Sequence, residues 1–154
     1  MHTVYLVSVF LHVLAAIAWI GGMVFLVAVV VPELRKDREA LRTTMQTFGR
    51  RFRRVSWIAL ATLFATGTFN ILHRGYSFGD IFSGTIFAGQ WGMILAHKLG
   101  LVAVILVLSA VHDFYVGPRA ATDEKARKAA SVMGRVTFAC ALAVVALAVT
   151  LVRG

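Results

Sequence analysis

The chain has little charge, little acid and almost no sulfur chemistry. Only 15% of its 154 residues are charged, whereas 59% are hydrophobic, which is too apolar for an ordinary soluble domain. Its single cysteine, Cys140, lies in an apolar run, so a structural disulfide is excluded and thiol usage says nothing of the compartment. Seven acidic residues face 16 lysines and arginines, and none of the seven falls inside a long apolar run. That argues against a carboxylate-based proton or cation pathway. A phosphate-cradling glycine loop and a nucleophile elbow are both missing, so soluble enzyme templates find no support. There is no internal repeat and no low-complexity tract. The net charge of +9 points at first to nucleic acid. The basic residues, however, sit in short segments between apolar runs, and a cytoplasmic membrane face accounts for them better; no nucleic-acid partner is expected.

Four apolar runs are present: Thr3 to Val31, Val55 to Leu72, Trp91 to Val111, interrupted by His97-Lys98, and Val136 to Val152. Each is long enough to cross a hydrocarbon layer of about 30 Å, the shorter ones with help from flanking residues. Each must be helical, because lipid offers no partner to backbone N–H and C=O groups. The first run is too long for a signal-peptide core and has no basic segment before it, so it is read as a retained helix. The expected fold is all-α: one transmembrane domain over residues 1–154, an up-down-up-down four-helix bundle joined by short loops. Its helices are placed at about 3–31, 38–73, 91–112 and 132–152.

Lysine and arginine counts orient the bundle. Arg35, Lys36, Arg38, Arg42, Arg50, Arg51, Arg53 and Arg54 crowd the segment after the first run. Arg119, Lys125, Arg127 and Lys128 follow the third, whereas only Arg74 lies between the second and third. The positive-inside rule therefore puts the two basic segments in the cytoplasm, with both termini outside. The expected location is the inner, cytoplasmic membrane of a cell. Leu41, Met45, Phe48 and Phe52 recur at helical spacing within the first basic segment, which is expected to be an amphipathic extension of the second helix. The segment between helices two and three, with four glycines and Phe78, Phe82 and Phe87, reads as an irregular flap on the outer surface.

Bundles place cofactors in the core, held by side chains of facing helices. His12 lies about 13 Å into the first helix, and His97 about 9 Å into the third, measured from the same outer face. Two imidazoles at one level would suit a six-coordinate haem iron as axial ligands. His12 shares a stripe with Ala15, Ala16, Trp19 and Met23, where the alanines leave room for a flat macrocycle. His97 shares its face with Met93, Gly100 and Leu101. Thr62, Thr66, Asn70 and His73 recur along the second helix, and His73 with Arg74 would meet haem propionates near the interface. The plainer alternatives are a hydrogen-bonded core histidine at His12, a solvated histidine at His73, packing roles for the methionines and a core role for Trp19. His112-Asp113 lies about 22 Å along the axis from His97; it reads as a polar cap on the third helix or as a weaker, second metal site. His2 reads as a solvated terminal residue. Lys98 is turned about 100° from His97. It would snorkel outward or bind an anionic ligand, and is the one catalytic candidate.

These residues also carry a family resemblance. The stretch Leu11-His12 through Trp19-Ile20-Gly21-Gly22, then Phe25 and Pro32, resembles the first helix of the membrane superfamily that includes the copper-resistance CopD domain and HemJ, a protoporphyrinogen oxidase. Arg50-Arg51-Phe52, Thr66-Gly67, Trp91, Lys98-Leu99 and His112 are similar as well. The resemblance implies a haem role for His12 and a functional role for Lys98. The HemJ branch carries a histidine two residues before this lysine; here that position is Ala96, and the histidine is adjacent. The expected function is thus haem b binding, in electron transfer or in oxidation of a small hydrophobic or anionic substrate such as a quinol or a porphyrinogen. Copper transport through His12, Met93 and His97 is the alternative, and a structural subunit of a membrane complex a third. A lipid bilayer is the expected partner, and a homodimer is compatible with the sequence.

Overall fold

The structure, a computed structural model, describes residues 2–120 and 122–153. Among them every regular element is helical. Four helices are long and apolar enough to cross a membrane: α1 (His2–Leu34), α2 (Arg38–His73), α4 (Gly89–Arg119) and α5, whose span is Glu124–Val152. A short helix, α3 (Phe78–Ser83), follows α2 in the chain. The chain divides between Ser77 and Phe78 into two compact units, each an antiparallel helical hairpin. Large apolar side chains such as Phe10, Ile17, Ile58 and Phe64 stand exposed along the spans. In water they would form a severe apolar patch, and lipid is the medium that covers them. The chain is therefore a multi-pass membrane protein.

Both hairpins are built on one plan, dictated by two prolines and two aspartates. Proline has no N–H and its ring clashes with the carbonyl four residues earlier. In α1 the turns before Pro32 widen into a π-helical stretch, Leu26–Val30, and the Val31 N–H reaches back five residues to the Leu26 carbonyl. In α4 the turns before Pro118 widen in the same way over Val111–Val116, and the Gly117 N–H takes the His112 carbonyl. Widening supplies partners in the region that the proline would otherwise leave short of donors. The second helix of each hairpin then starts on an aspartate cap. Asp37 Oδ1 accepts from the backbone N–H groups of Glu39 and Ala40 at 3.0 and 2.9 Å. The Asp123 carboxylate accepts from those of Lys125 and Ala126 at 2.9 and 3.3 Å. Each cap satisfies two of the donors that a helix start leaves unpaired.

Two elements depart from what the periodicity suggests. The third long helix does not end at His112 but continues through the π-helical stretch to Arg119. His112 is therefore within a helix and not its cap. The glycine-rich segment before α4 is ordered, not an irregular flap. After α3 it makes a 3-10 turn, Thr85–Phe87, which buries Ile86 almost completely. The turn lies across the first turn of α4: a Cβ added at Gly92 would come within 2.5 Å of the Ile86 carbonyl oxygen. Only glycine admits so close a backbone approach.

Candidate functional site

In the first hairpin the polar residues of α1 and α2 meet along one seam. Tyr5 stacks on His73 with ring centroids 4.5 Å apart and planes 16° from parallel. One turn further, the Ser8 hydroxyl donates to Asn70 Oδ1 at 2.9 Å. One turn further again, His12 Nδ1 lies 2.8 Å from Thr66 Oγ1. Steps of three or four residues on both helices bring these pairs into register, running up α1 and down α2. Gly67 lies beside the ring: a Cβ there would stand 3.4 Å from His12 Cε1, an ordinary contact distance. Deeper along α1, Ala15 and Trp19 are buried.

The hydrogen bonds decide the tautomer of His12. The Thr66 hydroxyl has one proton, and it is donated to the Thr62 carbonyl at 2.6 Å. Thr66 Oγ1 can therefore only accept from His12, so Nδ1 carries the proton. In the neutral ring the lone pair is then on Nε2. A histidine whose Nδ1–H is held by a protein acceptor is the arrangement found behind metal-bound imidazoles.

His97 in the second hairpin reaches the same state by a different route. Its Nδ1 lies 2.7 Å from the Met93 carbonyl oxygen, one turn earlier in α4. A carbonyl can only accept, so Nδ1 again donates and Nε2 again holds the lone pair. The ring is exposed and borders a groove of about 440 Å³ along α4, lined by Ala96, His97, Gly100, Leu101 and Val104. A Cβ added at Gly100 would meet nothing within 4 Å, so a side chain there would touch no neighbour. Apart from the imidazole the lining is aliphatic.

The remaining candidates fall elsewhere. His73 is exposed, and its ring stacks with both Tyr5 and Phe69, the latter with centroids 6.0 Å apart. Arg74 is the residue that closes α2, its backbone N–H bonded to the Ile71 carbonyl. Met93 is exposed and contributes its carbonyl to His97. Lys98 is half-buried. His112 Nδ1 lies 2.9 Å from Asp113 Oδ1 inside the π-helical stretch, so this imidazole too is held at Nδ1. Among the described residues no three His, Cys, Asp or Glu side chains gather into one cluster. Tyr5 and Ser8 belong to the polar seam and were not picked out by composition. Their signal was spacing, since they precede His12 by seven and four residues on the same helical face.

Among the described residues no group of side chains offers a full ligand shell for a bare metal ion. A haem macrocycle brings four nitrogen donors of its own and asks the protein for one or two axial ligands. A copper ion bound by protein alone needs its whole ligand shell from side chains. Each hairpin by itself offers one imidazole with its lone pair on Nε2.

The sequence comparisons agree with a membrane assignment. The family model described as copper resistance protein D matches residues 46–151. The chain is also similar to an uncharacterized protein of Aquifex aeolicus, 31% identical over 146 residues that cover 94% of this chain and 93% of the relative. No solved structure matches it.

Proposed function

The chain belongs to the copper resistance protein D family, and from that premise we propose that it is a haem b protein of the cytoplasmic membrane. His12 and His97 would hold the haem, each through Nε2. The observation that carries this reading is the shared tautomer: Thr66 takes the Nδ1 proton of His12, and the Met93 carbonyl takes that of His97. Haem would give the protein one-electron chemistry. Its role would be electron transfer or oxidation of a quinol-like or porphyrinogen-like molecule, as in a HemJ-type oxidoreductase. Lys98 would hold the carboxylate of a porphyrinogen-like substrate, and His73 with Arg74 the propionates. The basic segments would face the cytoplasm.

The test is an absorption spectrum of the detergent-purified protein, oxidised and reduced. A Soret band that sharpens on reduction is expected, with haem retention falling at least about tenfold in His12→Ala and in His97→Ala. A preparation without haem absorbance, or spectra unchanged in both variants, would overturn the proposal. Copper handling is the second reading. It is favoured by the family match and by the Met93 thioether one turn from His97, a soft donor beside an imidazole. A colourless protein holding copper in stoichiometric amount, lost in His97→Ala, would decide for it.

A further inference from the structure

We propose that Thr47, Arg50, Arg51 and Arg54 form a binding site for the phosphate of an anionic lipid headgroup. These residues stand at i, i+3, i+4 and i+7 on α2 and so share one face. Together they line a groove of about 310 Å³. Arg50 Nε donates to the Gln46 carbonyl at 3.3 Å, which lays that guanidinium along the helix and leaves its two terminal nitrogens to serve another acceptor. No ion pair among the described residues includes Arg50, Arg51 or Arg54. Three like charges crowded on one helical face repel each other, and a phosphate is the ligand that relieves them. Guanidinium groups bind its oxygens in pairs, and the Thr47 hydroxyl adds a neutral donor.

Two further features select a lipid as the source of the phosphate. Arg54 directly precedes the apolar run that starts at Val55, so the groove lies at headgroup level whichever way the hairpin is inserted. The same stretch of α2 is also anchored on α1, because Phe52 packs where a Cβ at Gly22 would overlap its ring. The arginine face is thereby held at a constant height against the bilayer. This site is separate from the histidines and does not depend on what they bind.

Native mass spectrometry of the detergent-purified protein, supplied with phosphatidylglycerol or phosphatidylcholine, tests the proposal. The wild type should retain phosphatidylglycerol in preference. Arg50→Gln/Arg51→Gln/Arg54→Gln should weaken that retention about 100-fold. Arg54→Gln alone should weaken it about fivefold, which keeps the test alive if the triple variant does not fold. Lys125→Gln/Arg127→Gln/Lys128→Gln removes the same charge from the second hairpin and should leave retention unchanged. Excess inorganic phosphate should leave the lipid bound. The proposal is overturned by equal loss in the second-hairpin variant, which would mean non-specific charge. It is equally overturned by displacement with inorganic phosphate, which would assign the groove to a soluble anion, or by no preference between the two lipids.

Discussion

The two hairpins share a plan but hold their intramembrane histidines in opposite ways. In the first, His12 is held by the neighbouring helix, through Thr66 and beside Gly67. In the second, His97 is held by its own helix, through the Met93 carbonyl. Both arrangements end with the proton on Nδ1 and the lone pair on Nε2. The first depends on the register between two helices; the second needs only that α4 be helical. One hairpin therefore has a histidine whose tautomer tertiary packing sets, and the other has a histidine whose tautomer secondary structure sets. The difference extends to their ends: side-chain pairs fasten the α1–α2 seam, whereas backbone lying on backbone fastens the start of α4.

That contrast can be broken experimentally, and the largest effect is expected at Gly92. Gly92→Val puts a side chain into the backbone of residues 86 and 87 and should destabilise the second hairpin by about 3 kcal/mol. Gly22→Ala, which meets only the Phe52 ring in the first hairpin, should cost about 1 kcal/mol, since a ring can shift. Unfolding by SDS titration in mixed micelles would order the two, and equal costs would end the distinction between backbone and side-chain fastening. Next comes Thr66→Val, which removes the acceptor of the His12 Nδ1 proton with little change of shape. Haem affinity should fall about 10- to 100-fold, while Met93→Ala, which leaves the carbonyl in place, should change it by less than about threefold. Titration of the apo-protein with hemin reads both, and an equal response would show that the two histidines are not held differently. The smallest effect is expected for Ser8→Ala, which loses the bond to Asn70. Intramembrane bonds of this kind average about 0.6 kcal/mol, and the same SDS titration should resolve a shift of that size from that of Gly22→Ala.

The four helices were legible because the bilayer simplifies the reading: an apolar run of sufficient length has no conformation open to it but a helix. The extension of α2 was legible too, from Leu41, Met45 and Phe52 at helical spacing, and Asp37 supplies the cap that starts it. The glycine-rich segment before α4 reads as irregular in the sequence but is ordered in the structure. Glycine signals freedom in a sequence, yet Gly92 serves close packing and Gly89, at φ +75°, serves the turn into α4. Nothing in residue identity separates those uses. His112-Asp113 looks like a polar stop in the sequence, but α4 runs past it. The π-helical stretch carries the helix past it, and Pro118, which causes that stretch, lies several residues downstream.

The candidate site divides in the same way. His12, His97 and Lys98 stood out because ionisable groups are costly in a membrane and few chains carry them without use. Thr66 and Asn70 stood out as a polar stripe on α2, but their partners did not. That Thr66 meets His12 and Asn70 meets Ser8 follows from the register of α1 on α2, which depends on how Phe52, Gly22 and Gly67 fit together.

The sequence by itself determined that this protein lies in a membrane, that it crosses four times as helices, and that the ionisable groups within those spans are a few histidines and one lysine. Those conclusions rest on local physics, hydrophobicity and backbone hydrogen bonding, which each segment carries with it. Only the tertiary structure decided which nitrogen of His12 bears the proton. That depends on a hydroxyl 54 residues away, whose own proton is already committed to the Thr62 carbonyl. A hydrogen bond between distant segments is a property of packing, and packing is what a linear pattern of apolar residues leaves open.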